Sequence, residues 1–525
     1  MRALLVNPLF PTTYWGFQHA LPLAGVRSSL PPLGLITVAA LLPREWQIRL
    51  VDLNIEPLSD AEILRADVVL VGGMLVQMPS MQDVLSRTRA LERRTIAGGP
   101  AATALPDRFA DADHVFLGEA EGRVGEIVRA ARGDPRVPRL LRPTGGSPQM
   151  SESPVPRFDL LDRDRYISMA VQYSRGCPYA CEFCDVVELF GRIPRVKEPE
   201  RVLAELEALR ATGYRGSVFF VDDNFIGNKR GVRELLPPIT EWQEVHGRPF
   251  EFYTEASVNL ASDPPLVRAM VEAGFSSVFV GIESPSEDAL RDAGKKQNLR
   301  MDVGEAIDSL TRSGLEVMGG FIVGFDADGP GIFEAQQEFI ASLPVPLAMV
   351  GLLTALPGTA LWRRLESEGR LRDLSSGDQF SRPNFETRMG DARLLAGYRD
   401  LLASIYSPEA YRRRCEAYLD RIPRRGFASR ILRARDLVTF LRAVVYLGLW
   451  RARRGDFWRL LGRALIRAPR AISWAVAHAI MGEHLIRYTR EEVLPKIGRE
   501  LARMRRPAPV KTGLLPQGCG SRRSP

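Results

Sequence analysis

Short apolar runs alternate with helix-like segments through the first 135 residues of the chain. Runs of four to six residues bounded by turn residues are typical of strands that a parallel sheet buries on both faces. Because these strands alternate with helices, they predict a doubly wound α/β domain over residues 1–135. The predicted strands are residues 3–7, 47–52, 67–72, 95–98 and 114–117.

A second alternation of strands and helices follows after a break. Residues 136–165 are rich in Pro, Ser, Gly and Arg, which predicts a linker. The six strand candidates beyond it are two fewer than a closed (β/α)₈ barrel needs, so an open or partial (β/α) barrel is predicted over residues 166–385. These strands are residues 168–173, 217–222, 251–255, 277–282, 317–323 and 347–353.

The last third of the chain lacks strand patterns and is strongly basic. Helical periodicity predicts a helical domain over residues 386–505, and the Pro, Gly, Ser and Arg content of residues 506–525 predicts a disordered tail. Residues 401–525 hold 27 Lys+Arg and 9 Asp+Glu, which leaves 44 basic and 54 acidic residues in the first 400. The excess positive charge therefore belongs to the C-terminal module.

Three interpretations of this basic module remain open. Residues 433–447 combine apolar faces with arginines, a pattern that fits helices lying on an anionic membrane surface. The same pattern fits a helical cap that packs its apolar face on the barrel and leaves the arginines in water. RNA binding is the third interpretation, and it is disfavoured because no RNA-binding motif accompanies the arginines.

The cysteine content and the N-terminus indicate a reducing compartment. Three of the five cysteines lie within eight residues, which disfavours a secreted disulfide framework. No signal peptide and no run of about 18 uncharged apolar residues is visible, so neither secretion nor a transmembrane helix is predicted. We expect a cytoplasmic protein that contacts a membrane at most peripherally.

Cys177, Cys181 and Cys184 form a CxxxCxxC motif directly after a predicted strand. A structural zinc site needs four ligands in paired spacings, and His246, Cys415 and Cys519 offer no plausible fourth. An iron–sulfur cluster held by three cysteines instead leaves one iron open to a small molecule. Zinc binding or chance clustering stays the alternative.

This spacing, with an aromatic residue before the third cysteine, resembles the signature of the radical S-adenosylmethionine (SAM) superfamily. The resemblance covers about residues 166–385. It implies a 4Fe-4S cluster on Cys177, Cys181 and Cys184, whose open iron binds the amino and carboxylate groups of SAM. It also implies reductive cleavage of SAM to a 5′-deoxyadenosyl radical.

The same resemblance implies a set of SAM-binding residues at strand ends. Phe183 is placed near the adenine, although an ordinary core role is equally open. Residues 219–225 stand where the family has a Gly-Gly-Glu segment, and the departure leaves a turn or N-cap role open for their two aspartates. The full set is Phe183, Asp222, Asp223, Glu255, Glu283, Gly320 and Gly324.

The N-terminal domain resembles the cobalamin-binding modules found in part of this superfamily. Glycines at its strand ends would let the backbone approach a corrin closely. The residues that the resemblance places at cobalamin are Asn54, Gly73, Met74, Leu75, Gly98, Gly99 and Gly118. No DxHxxG motif is present and His19 and His114 lack its context, so cobalt without a histidine ligand is implied. A degenerate α/β fold that binds no corrin stays the alternative.

The order of the three domains resembles the cobalamin-dependent radical methyltransferases, and residues 16–53 look most like the subgroup with hopanoid methylases. The implied activity is methylation of an unactivated carbon of a lipid or other hydrophobic substrate, with a second SAM remethylating the cobalt. The alternatives are a rearrangement, cyclisation or oxidation without methyl transfer, and a noncatalytic cobalamin or cluster sensor. The implied partners are a small-molecule or lipid substrate and a reductase, ferredoxin or flavodoxin as electron donor, without nucleic acid.

Overall fold

The computed structural model describes residues 1–374, 378–423 and 434–505. The first domain is a six-stranded parallel sheet in the order β2-β1-β3-β4-β5-β6. Its strands are β1 Arg2–Asn7, β2 Gln47–Asp52, β3 Val68–Gly72, β4 Thr95–Gly98, β5 His114–Phe116 and β6 Leu140–Leu141. Its helices are α1 Leu21–Ala24, α2 Leu33–Leu41, α3 Asp60–Arg65, α4 Met78–Ala90, α5 Gly99–Ala104 and α6 Val124–Arg132. The five predicted strands are confirmed.

Helices cover both faces of this sheet. Successive residues of each strand point to opposite faces, and the side chains on both faces are apolar. Leu5 packs with Ile36 of α2 on one face. Val6 and Val71 pack with Met81 of α4 on the other. Burying each such side chain stabilises the fold by about 1.5–3 kcal/mol, so removal of the helices from either face would leave an apolar surface in water.

The predicted linker contains structure that its composition conceals. Leu140 and Leu141 pair in parallel with Val115 and Phe116 and extend the first sheet beyond residue 135. Short 3₁₀ turns follow, and Phe158 is buried in the main core. A strand of two residues produces no periodicity, which is why the pattern predicted an unstructured connection there.

The second domain is an open sheet of six parallel strands in the order β7-β10-β11-β12-β13-β14, which confirms the predicted partial barrel. These strands are β7 Met169–Val171, β10 Gly216–Phe220, β11 Phe250–Glu255, β12 Phe275–Glu283, β13 Glu316–Val323 and β14 Ala348–Leu352. An antiparallel ribbon of β8 Ser174–Arg175 and β9 Arg195–Val196 was not predicted. The helices are α7 Val186–Phe190, α8 Pro199–Ala211, α9 Lys229–Val245, α10 Pro264–Ala273, α11 Glu287–Asp292, α12 Val303–Arg312, α13 Ile332–Ser342 and α14 Ala360–Ser367.

The chain between Tyr14 and Ser29 spans the gap between the first and last barrel strands. At the β7 side, the amide of Ser168 donates to the carbonyl of Ser29 at 3.1 Å. At the β14 side, the ring of Tyr14 stacks on Tyr406 at 4.7 Å, and the Tyr406 hydroxyl donates to the carbonyl of Ala348. We call residues 14–29 the closing segment.

The third domain is helical, as predicted, and packs on the β14 side of the barrel. The Tyr398 hydroxyl donates to the carbonyl of Val350 at 2.8 Å, and His478 contacts the Glu316 carboxylate at 2.7 Å. Within residues 434–505 and the two described stretches before them, no helix is long and apolar enough to cross a membrane. The predicted disordered tail and Cys519 lie outside the described residues. The helices are α15 Asp391–Ile405, α16 Pro408–Arg421, α17 Ala434–Ala443, α18 Arg454–Arg467, α19 Ile472–Tyr488 and α20 Leu494–Arg505, with π-helical turns at Val444–Trp450 and Thr489–Val493.

Candidate active site

Two aspartates after strand β10 hold the backbone from which the cysteine loop begins. The Asp222 carboxylate accepts the backbone amides of Tyr173 and Ser174, and Asp223 accepts the amide of Gly176 at 2.9 Å. Gly176 has a φ of +95°, and a Cβ there would lie 2.9 Å from the Gly191 carbonyl oxygen. Both aspartates therefore brace the start of the cysteine loop, whereas Asn228 caps the helix that follows.

Asp222 is 1% exposed, and its second carboxylate oxygen has no hydrogen-bond partner among the described residues. Burial raises the pKa of Asp222 to about 7 and that of Asp223 to about 6. The predicted contact of Asp222 with SAM stays a prediction. The carboxylate of Asp222 orients the loop.

Amide donors point at the sulfur atoms of the cysteine loop. Asn224 Nδ2 lies 3.7 Å from Cys177 Sγ, and Gln297 Nε2 lies 3.9 Å from Cys181 Sγ. Burial raises the pKa of the Cys177 thiol, and it raises that of Cys184 to about 12. A metal that deprotonates these thiols would therefore release protons on binding.

The three thiols of the loop and the amides beside them fit the donor set of an iron–sulfur cluster. Across the described part of the chain, no three His, Cys, Asp or Glu side chains are close enough to hold one metal ion. A 4Fe-4S cluster binds each cysteine through a different iron, so three separated thiols with amide donors match its donor set.

The half-buried carboxylate of Glu255 lies at the carboxyl end of strand β11, in the barrel interior. Burial, and then Asp223 and Asp222, raise the pKa of Glu255 to about 8. Nearby, Lys295 pairs with Glu283 at 2.5 Å; burial opposes its charge, but Glu283 and Cys181 raise its pKa. The carboxyl groups here therefore outnumber the one cationic side chain, Lys295. A positively charged ligand such as SAM would reduce the repulsion among these carboxyl groups.

The remaining residues predicted to bind SAM lie around the same interior. The Phe183 ring is half-buried, 6.2 Å from Phe325, and the Lys295 ammonium lies 5.9 Å from its centroid. Gly320 is needed for packing, because a Cβ there would lie 2.6 Å from Phe279 Cζ. Gly324 has a φ of +104°, and its amide donates to Asp328 at 2.7 Å. Glu283 itself has a φ of +67°, a strained value for a non-glycine residue.

Aromatic residues that the sequence analysis missed line the middle of the barrel. Phe219 and Tyr253 stack at 4.7 Å, and Trp15 of the closing segment meets Phe279 edge-on at 5.2 Å. Phe279 pairs in register with Glu255 on the adjacent strand. The two-residue period of the strands could have placed Tyr253 and Phe279 on the interior face, but no local signal identifies Trp15.

The carboxyl edge of the first sheet is organised around Asp52. Asn7 and Asn54 both donate to its carboxylate, and the Tyr166 hydroxyl donates to it at 2.9 Å. Asn54 also donates to the Pro8 carbonyl and accepts the amide of Phe10. The predicted contact of Asn54 with cobalamin stays a prediction, and the structure gives this side chain an internal role.

Close backbone approach at this edge requires the predicted glycines. A Cβ on Gly99, where φ is +85°, would lie 3.1 Å from both Gly73 N and Gly73 O. Gly98 precedes it at the end of β4, and Gly118, with φ of +79°, follows β5. Beside Gly73, Met74 is 54% exposed and Leu75 is half-buried. This open, glycine-lined edge fits a large planar ligand.

Ion pairs join this edge to the cysteine loop. Arg175, two residues before Cys177, pairs with Glu119 at 2.6 Å and Glu121 at 2.8 Å, and Arg195 pairs with Glu119 at 2.8 Å. Glu119 and Glu121 directly follow Gly118. The two candidate cofactor edges therefore face each other across one interface.

Each histidine contacts a carboxylate or a backbone carbonyl. All five are among the described residues, and two belong to the N-terminal domain. His19 contacts Glu492 at 3.1 Å, and His114 begins strand β5 at the opposite edge. The other three contact Glu207, Glu316 and the Thr13 carbonyl. Cobalt without a histidine ligand stays a prediction.

Profiles of three protein families match the chain in the order of its domains. They are B12 binding domain over residues 21–128, Radical SAM superfamily over residues 171–333, and Domain of unknown function (DUF4070) over residues 359–495.

Relatives match over nearly the whole length. An uncharacterised methyltransferase of Synechocystis sp. is 40% identical over 95% of this chain and 94% of its own length. Hopanoid C-2 methylase of Rhodopseudomonas palustris is 35% identical over 93% of this chain and 94% of its own. The chain belongs to the cobalamin-binding radical SAM methyltransferases.

This radical SAM methyltransferase shares its fold with two solved proteins. The radical S-adenosylmethionine methyltransferase TsrM of Kitasatospora setae, with cobalamin and a [4Fe-4S] cluster bound, has a TM-score of 0.60 and 15% identity over 89% of this chain and 99% of that chain. The cobalamin-dependent radical enzyme OxsB has a TM-score of 0.57 and 14% identity over 96% of this chain and 83% of that chain. The predicted fold class is confirmed, and the noncatalytic sensor is set aside.

Family membership also establishes the cofactors. The enzyme uses a 4Fe-4S cluster, SAM and cobalamin, as the resemblance implied. The residues that bind each cofactor are proposed below from the geometry of the two edges.

Proposed function

We propose that this enzyme methylates an unactivated carbon of a lipid or other bulky hydrophobic substrate. The observation that carries the proposal is the aromatic lining of the barrel, where Phe219, Tyr253, Phe279 and Trp15 surround the interior beside Glu255. Aromatic walls bind an apolar ring system without demanding polar partners. The match to hopanoid C-2 methylase, and a 27% match to hopanoid C-3 methylase over 66% of this chain, supports a lipid.

Three cysteines and their neighbours would hold the first pair of cofactors. Cys177, Cys181 and Cys184 supply the thiolates, and Asn224 and Gln297 donate to two of the sulfurs. Glu255 and the Glu283–Lys295 pair offer an acidic interior for the charged part of SAM, with Asp223 contributing to its negative potential. Gly320, Gly324 and half-buried Phe183 complete the proposed SAM pocket.

The opposite edge would hold cobalamin against this pocket. Gly73, Gly98, Gly99 and Gly118 leave room for the corrin at the strand ends, and Asn54 orders the adjoining loop. Exposed Met74 and half-buried Leu75 would cover the corrin face with apolar side chains. When bound, the cluster with SAM supplies a hydrogen-abstracting radical and cobalamin supplies a methyl group.

An electron donor must reduce the bound cofactors, and we propose a reductase, ferredoxin or flavodoxin. We also propose that the basic C-terminal helices contact a membrane peripherally.

The test is product mass with a hopanoid lipid and SAM that carries a deuterated methyl group. We expect a product in which one hydrogen is replaced by the labelled methyl, because methyl transfer retains all three deuterium atoms. An altered lipid without the label would instead establish another radical reaction: a rearrangement gives a new product of unchanged mass, whereas an oxidation or an oxidative cyclisation changes the mass.

Cysteine variants provide the matched comparison for this assay. Cys177→Ala should lose cluster iron, 5′-deoxyadenosine and product together, because it removes one of three thiolates. Cys415→Ala should retain all three, since Cys415 is buried in the helical domain. Equal losses in the two variants would contradict the assignment of the cysteine loop.

A further inference from the structure

Exposed large apolar side chains concentrate in one stretch of the C-terminal domain. Of the seventeen such side chains among the described residues, nine lie within residues 437–466. Together they define what we call the 437–466 surface. Its members are Leu437, Val438, Leu441, Val445, Leu449, Trp450, Trp458, Leu465 and Ile466.

Helix α17 and the π-helical turn after it are apolar on two sides. One side packs Ala443 and Leu447 against Ala20 of the closing segment, with Phe440 alongside. The other side exposes Leu441 and Val445, one helical turn apart. A cap for the barrel needs one apolar side, and the second side is uncovered among the described residues.

Helix α18 continues the exposed apolar face. Trp458 and Leu465 are seven residues apart and share a side of the helix, and both are exposed. The Trp458 indole donates to the Gly448 carbonyl at 3.0 Å, which places it beside exposed Leu449 and Trp450. Tryptophans with an apolar body and a polar N–H are enriched at the boundary between lipid and water.

The charge around this surface is positive. Residues 434–470 contain nine arginines and two aspartates, with no lysine or glutamate. Arg454 and Arg459 are exposed beside Trp458 in the sequence. Apolar side chains framed by cations complement anionic headgroups above a hydrocarbon layer, whereas a protein partner of equal charge would be repelled.

We propose that the 437–466 surface docks this enzyme on a lipid bilayer that carries anionic headgroups. The arginines contact the headgroups, and the tryptophans and leucines enter the interfacial layer. This proposal rests on the proposed function, because docking would bring the enzyme to a lipid substrate in the bilayer. The closing segment links the two, because Ala20 packs under α17 while Trp15 reaches Phe279 in the barrel.

Sedimentation with vesicles of phosphatidylcholine, alone or mixed equally with phosphatidylglycerol, tests the proposal on the full-length protein. We expect binding to the mixed vesicles that weakens with salt and much weaker binding to phosphatidylcholine. Leu449→Ser with Trp450→Ser should lower the partition coefficient about tenfold. Arg454→Gln with Arg459→Gln should lower it roughly tenfold on mixed vesicles at low salt.

Val245→Ser is the matched control, because Val245 is 72% exposed at the end of α9 in the barrel domain and should bind vesicles as wild type does. Melting temperatures near that of wild type establish that the variants are folded. Wild-type protein that ignores mixed vesicles, or variants that bind unchanged, would overturn the proposal.

A dimer that Leu449→Ser with Trp450→Ser dissociates, in protein that binds no vesicles, would instead assign the surface to a second copy of this chain. The vesicle assay involves no turnover, so docking with no methylated product would leave this inference standing and remove the proposed function. Methylated product without vesicle binding would support the proposed function and overturn this inference.

Discussion

Individual side chains in the barrel have properties that their sequence neighbours do not reveal. The cysteine spacing predicted the loop because all three residues lie within eight positions of each other. Lys295 and Trp15 were missed because each reaches the site from a distant part of the chain. The hydrogen bonds that Asp222 accepts from backbone amides could not be predicted, because those amides lie about fifty positions away.

Glu255 should make stability depend on pH. Its pKa of about 8 in the folded state exceeds the ordinary value of 4.5, so the folded protein retains a proton that the unfolded chain releases. The stabilisation is fully present below about pH 4.5 and is lost as pH rises through about 8. We expect the melting temperature of wild type to fall relative to Glu255→Gln from about pH 5 to about pH 9.

Differential scanning calorimetry of both proteins without cofactors, at a series of pH values across this range, checks the prediction. Glu251→Gln, four residues earlier on the same strand, is the control and should run parallel to wild type. A constant difference between wild type and Glu255→Gln would show that Glu255 is ionised in the folded protein at neutral pH.

At the scale of elements, the pattern of apolar and polar residues predicted the long strands but not the strands of two residues. Strands such as β2 and β4 were predicted to the residue because apolar runs of four or more residues carry a clear signal. Strand β6 and the β8–β9 ribbon have two residues per strand, and their pairing is decided by tertiary contact. The closing segment has no periodicity at all, so its path across the barrel gap could not be predicted.

Close packing between β12 and β13 gives a prediction for Gly320→Ala. The new methyl would lie 2.6 Å from Phe279 Cζ, so the ring must shift toward Trp15. We expect the free energy of unfolding to fall by roughly 1–3 kcal/mol and the melting temperature to fall with it. Gly329→Ala is the control, because no atom lies within 4 Å of the added methyl. Equal melting temperatures of the two variants would show that the Phe279 ring moves aside without a measurable loss of stability.

At the scale of the whole molecule, the order of the domains was predictable and their interface was not. Domain order follows from local pattern and from the cysteine motif. The pairing of Arg175 with Glu119 and Glu121 joins residues more than fifty positions apart, and nothing in the sequence around them marks it. This pairing holds the two cofactor edges together.

Arg175→Ala should weaken the contact between the domains, because it leaves buried Glu121 without its arginine partner, while Glu119 keeps Arg195. Loss of one member of a buried ion pair costs about 3–5 kcal/mol. We expect calorimetry to show a lower melting temperature and a separate transition of the N-terminal domain. Arg136→Ala is the control, since Arg136 is 86% exposed and pairs with Asp134 on the surface. A single unshifted transition in Arg175→Ala would contradict a structural role for this interface.

The most direct test of the account is the stoichiometry of one quenched reaction. Cluster-loaded, cobalamin-loaded enzyme is incubated with a hopanoid lipid, a strong reductant and SAM, and three products are counted. Methylation of an unactivated carbon predicts one 5′-deoxyadenosine and one S-adenosylhomocysteine for each methylated lipid. Methylated lipid without matching 5′-deoxyadenosine, or 5′-deoxyadenosine with altered lipid that lacks a methyl group, would contradict it.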